Sequence, residues 1–76
     1  MFHIYLVRRK DDKFIVRFVN SVVSSTGNKT SATLTESKIP MTANMAVSRG
    51  EELIDALLNA GLSVEPSLRL KDDGVE

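Results

Sequence analysis

No cysteine occurs in the 76 residues, so neither a disulfide framework nor a thiolate metal site can form. Small secreted domains usually depend on such cross-links, and their absence points to a reducing, cytoplasmic setting. No apolar run approaches the roughly 20 residues that span a bilayer, and no membrane partner is expected. The N-terminus, Met1-Phe2-His3-Ile4-Tyr5-Leu6-Val7-Arg8-Arg9, carries its charge after the apolar run, the reverse of a signal peptide. His3 is the single histidine, and the carboxylates lack the alternating Asp/Asn pattern of a calcium loop, so no metal ligand is assigned. Net charge is also missing: ten basic side chains offset ten acidic ones.

Motifs of catalysis are lacking too. There is no G-x-S-x-G, no phosphate loop and no G-x-G-x-x-G. Gly27-Asn28-Lys29-Thr30 lacks the upstream glycine and the Gly-Lys-Ser/Thr order that a phosphate loop needs. Serines are plentiful and His3 is a base, but no spacing sets Ser, His and Asp in a recognisable order. No catalytic residue and no cofactor is assigned, and an enzyme is not expected.

What is present is an ordinary globular composition, 42% apolar and 26% charged, which argues against disorder. The length suits one core and one domain, read as residues 1–70 with a flexible tail over 71–76. At about 0.05–0.15 kcal/mol per residue, its stability should fall near 4–11 kcal/mol.

Period-two alternation marks two strands, residues 2–8 and 13–23, joined by the polar Arg9-Lys10-Asp11-Asp12-Lys13. They should form an antiparallel hairpin. A three-residue loop, Lys10 to Asp12, sets Leu6 opposite Val16 and Ile4 opposite Phe18. Phe2, Ile4, Leu6, Phe14, Val16 and Phe18 then share one face. That loop requires a left-handed residue at its end, which Asp12 tolerates better than most. A two-residue turn would instead set Leu6 against Arg17, burying less apolar surface.

Ser24-Ser25-Thr26-Gly27-Asn28-Lys29 is a turn, and Thr30 to Thr35 a threonine-rich strand. Residues 39–47 read both ways. Ile39, Met41, Ala43, Met45 and Val47 alternate as in a strand, while Pro40 and the i, i+4 methionines suit a helix. The alternation favours a strand. Ser48 with Glu51 reads as a capping box opening a helix of about three and a half turns, with Glu51, Glu52 and Asp55 near its positive end. Leu53, Ile54, Leu57 and Leu58 form its apolar stripe, and Gly61 its stop. A last strand over Leu62 to Leu70 is bent or held at an edge by Pro66. The fold class is α+β: a small antiparallel sheet of three to five strands with one packed helix, in the order ββ(ββ)αβ.

Two functions follow from this pattern. The second hairpin face carries Tyr5, Val7, Ile15, Arg17 and Val19, and one helix covers only one face of a sheet. These five residues are therefore the expected contacts of a small non-catalytic interaction or regulatory protein. It would bind another protein, or a second copy as a homodimer, through a sheet face or edge. The alternative is nucleic-acid binding by Arg8, Arg9, Lys10, Lys13 and Arg17 on the hairpin, with His3 and Tyr5 available to stack on bases. Short chains of this kind are common among accessory proteins of bacteria and their phages.

Overall fold

In the computed structural model, which describes residues 1–72, the elements run β1 (Phe2–Arg8), β2 (Phe14–Val23), β3 (Lys29–Glu36), α1 (Ala43–Asn59) and β4 (Arg69–Asp72). The four strands lie in one sheet, ordered β3-β2-β1-β4. Neighbours pair antiparallel except β1 and β4, which run parallel because α1 carries the chain back across the sheet.

The hairpin takes the register that buries most. Leu6 pairs with Val16 and Ile4 with Phe18. Arg9 N–H donates to Lys13 O at 2.8 Å and Asp12 N–H to Arg9 O at 3.1 Å, which closes a three-residue loop with Asp12 at φ 60°. The β2–β3 turn repeats this design: Ser24 N–H donates to Asn28 O, Gly27 N–H to Ser24 O, and Gly27 takes φ 86°. A glycine makes that conformation nearly free, whereas Asp12 carries a steric cost. A β-branched side chain there would raise it. Asp12→Val should therefore cost about 1–2 kcal/mol, against less than about 0.5 kcal/mol for the exposed Lys10→Ala beside it. Thermal melts of both variants check this.

The core lies between α1 and the face of β1 and β2 that carries Ile4, Leu6 and Val16. Ala46, Gly50 and Ile54 recur at i, i+4 and i+8 and form the buried stripe of α1. Two of the three are small, and Gly50 permits the closest approach: a Cβ there would sit 2.6 Å from Leu68 Cδ2 and 3.5 Å from Ile4 Cγ2. Val64 completes the core, bridging Phe2 from beyond the helix.

The helix opens earlier than Ser48. Thr42 is the N-cap, its Oγ1 accepting from Met45 N–H at 3.4 Å, so residues 43–47 are helical and Ser48 lies inside the second turn. Glu51, Glu52 and Asp55 are consequently not near the positive end, and the first turn holds no acid. The strand alternation of Ile39 to Val47 corresponds to no shared buried face, since Ile39, Met45 and Val47 are all exposed. Only Met41 makes a strand-like contact, exchanging two 2.8 Å hydrogen bonds with Phe14. The stop is as expected: Gly61 at φ 82°, with Leu62 N–H donating to Leu57 O and Gly61 N–H to Leu58 O. Among the described residues the last strand begins at Arg69 rather than Leu62 and includes Lys71 and Asp72; positions 73–76 of the expected tail lie outside the described residues. Among the described residues, no helix is long and apolar enough to cross a membrane.

Candidate interaction surface

β3 is built from Lys29-Thr30-Ser31-Ala32-Thr33-Leu34-Thr35-Glu36, β-branched residues that fit a pleated strand without demanding burial. All eight are exposed. The strand is held by its ladder to β2 and ends the sheet, so its outer side is an open edge. A bulge interrupts the ladder: consecutive Phe18 and Val19 pair with Thr35 and Thr33, leaving Leu34 as the extra residue.

α1 lies over β1 and β2 but not over β3. This leaves a groove of about 440 Å³ on the helix side, floored by Val16 and Phe18 and walled by Leu53, Leu57, Met41 and Ile39. Ile39 is 78% exposed, an isoleucine largely in water at the groove's rim. The lining is mostly apolar, with Arg49, Glu36 and Lys38 at its margins.

The opposite face of the sheet holds the residues expected from the sequence to make contacts. Val7 is fully buried, and Ile15 and Val19 nearly so, whereas Tyr5 and Arg17 are half-buried. Arg17 Nε donates to Glu36 Oε2 at 2.9 Å, binding β2 to β3. A partner reaching this face would meet Tyr5 and Arg17 first. The three aliphatic residues are already buried within the chain.

A line of polar groups crosses the same face, and no sequence spacing announced it. His3 Nδ1 lies 2.6 Å from Glu65 Oε2 and Nε2 lies 2.7 Å from Ser21 Oγ. A neutral ring meets both if Nδ1–H donates to the carboxylate and the hydroxyl donates to Nε2. Arg69 Nε donates to the same Glu65 Oε2 at 2.8 Å. That bond, reinforced by His3 and partly opposed by desolvation, holds the Glu65 carboxyl below its ordinary value. In return, the carboxylate raises the Arg69 guanidinium. The order Ser, His, Glu is that of a nucleophile, base and orienting group. Such a centre also needs donors aimed at an oxyanion, and the Ser21 amide is already committed to Met1 O at 2.9 Å. The line fastens β1, β2 and the segment before β4 to one another. The sequence could have offered only a weak signal, since His3 and Ser21 share a face once the hairpin register is known.

The basic hairpin is partly neutralised. Arg8 bonds Asp12 at 2.9 Å, Arg9 lies 3.8 Å from Asp11, and Arg17 is held by Glu36. Lys10 and Lys13 remain exposed at the loop. His3 is buried in its own bonds, which removes it as a stacking platform, and Tyr5 is half-buried. The chain matches no family model, no curated protein and no solved structure.

Proposed function

We propose that this chain is a small non-catalytic interaction or regulatory protein that binds another protein, or itself, through the edge of β3 and the adjoining groove. The observation that carries the reading is the combination of a fully exposed eight-residue edge strand with an apolar groove that α1 leaves uncovered. Open edges offer a partner strand ready-made hydrogen bonds, and an apolar pocket beside the edge supplies side-chain selectivity. β4, the other edge, carries Arg69, Lys71 and Asp72 around the exposed Leu70, and such charges discourage strand addition. The nucleic-acid alternative would rest on Lys10 and Lys13, because the three arginines of that set already hold acids.

A photo-reactive side chain replacing Ile39 tests the proposal, with the same group replacing Glu52 on an exposed face of α1 as the control. Cross-linking in the cytoplasm of an expressing cell should give a product of defined mass from position 39 and none from position 52. Equal labelling at both positions, or none at either, would remove the reading.

A further inference from the structure

We propose that the β3 edge pairs with the β3 edge of a second copy of this chain, antiparallel about a two-fold axis at Ala32. This rests on the interaction reading above and gives that surface its partner. The backbone fixes which groups face outward. Ser24 and Asn28 close the turn as a hydrogen-bonded pair, and such pairs alternate along an antiparallel ladder. Val22–Thr30 and Asn20–Ala32 are then the bonded pairs, which leaves the amides and carbonyls of Lys29, Ser31 and Thr33 directed away from β2.

The side chains select an antiparallel copy of the same strand. The charges of β3 sit only at its ends, Lys29 at one and Glu36 at the other. A two-fold axis normal to the sheet brings each end of the strand to the opposite end of its copy. It also preserves faces, so residues brought opposite must share a face. In a regular strand, residues 29 and 36 are an odd number apart and would face opposite sides. The bulge corrects this. With Thr33 and Leu34 counted as one step, β3 has seven positions centred on Ala32, and Lys29 and Glu36 fall on the Arg17 and Val19 face.

In that register Lys29 meets Glu36, Thr30 meets Thr35, and Ser31 meets the bulge, twice each. Ala32 meets its own copy as a non-hydrogen-bonded pair, where strands approach to about 4.5 Å between Cα atoms and the smallest side chain fits best. Among the described residues Lys29 has no acid partner, and Glu36 uses Oε2 on Arg17, leaving Oε1 for the incoming ammonium. The product is one continuous sheet with both helices on the same side, their grooves facing each other across the joined β3 strands.

Sedimentation of the full chain over a concentration series should show a dimer. Lys29→Glu and Glu36→Lys should each weaken it about tenfold, since two like-charged pairs replace two attractive ones. The double exchange should restore it. The chain has no cysteine, so a single introduced thiol reports the register. Ala32→Cys should oxidise to a disulfide-linked dimer. Lys29→Cys should not, because its two thiols would lie about 20 Å apart. Far-UV circular dichroism verifies that each variant is folded, and the cysteine variants decide if Glu36→Lys is not. A monomer at all concentrations, or a dimer that Ala32→Cys fails to link, overturns the proposal. If position 39 then still cross-links a different protein, the surface stands with another partner; if it captures nothing, both readings fall.

Discussion

Replacing Val7 with glutamate is expected to destabilise the fold severely rather than to free the chain from a partner. Val7 is 0% exposed in the central strand β1, paired with Ile15 on one side and Lys71 on the other. An uncompensated buried carboxylate costs about 3–5 kcal/mol. Lys71, exposed on β4, offers at best a surface ion pair of about 1 kcal/mol in return. A chain of this size holds about 4–11 kcal/mol in all, so the substitution removes most of the lower part of that range. Urea denaturation followed by far-UV circular dichroism should show a large fall in the midpoint, reaching zero denaturant if the parent stability lies at the low end of that range. Arg17→Ala, on the same face but half-buried, should lose far less, because the groups it releases reach water. A cooperative, near-native transition for Val7→Glu would show that the second face opens to solvent, and would return it to consideration as a contact surface.

The same burial explains what could be read from the residues alone. Strands β1 and β2 were legible from the period-two alternation of their β-branched and aromatic residues, and the choice of register followed from Leu6 seeking Val16 rather than Arg17. Asp12 and Gly27 announced their loops through the left-handed backbone each supports. The start of α1 was not legible. Ser48 and Glu51 have the spacing of a capping box, but a capping signal decides nothing when a better-placed stripe exists, and Ala46, Gly50 and Ile54 bury the preceding turn. Small residues are weak signals of burial in a sequence, because what buries them is the close approach they permit. Gly50, a poor helix former by itself, is where α1 comes nearest to Leu68 and Ile4.

The candidate surface was legible in kind more than in place. An uncovered part of the sheet follows from having one helix, but which part depends on where that helix lies. Because α1 sits over β1 and β2, both edge strands are left uncovered on its side, and the groove opens beside β3, whose Thr-rich sequence gives no apolar signal. The second face of the hairpin, which alternation made attractive, spends its aliphatic residues within the fold.

His3→Ala should reveal the other strong tie, with a loss of about 3 kcal/mol near neutral pH. The substitution deletes bonds of 2.6 and 2.7 Å, leaves the Ser21 hydroxyl only its longer 3.4 Å bond to Met1 O on a residue 9% exposed, and leaves a void where the ring packed. Unsatisfied buried partners cost about 1–3 kcal/mol, and the lost packing adds to this. Arg69→Met, which removes a solvent-screened pair on the same carboxylate, should cost much less. The two variants should exchange rank in their response to acid. The folded-state pKa of Glu65 is depressed, so its contribution is complete above its ordinary value and is lost as pH falls through the folded one. Arg69 is the largest cause of that depression and His3 a smaller one. Arg69→Met should therefore flatten the acid limb of the stability profile, whereas His3→Ala should lower the whole profile and keep most of the limb. Denaturant midpoints between pH 3 and pH 7 separate these outcomes. If His3→Ala left stability nearly unchanged, the alignment of Ser21, His3 and Glu65 would have no structural account, and its resemblance to a nucleophile, base and orienting acid would become the leading explanation.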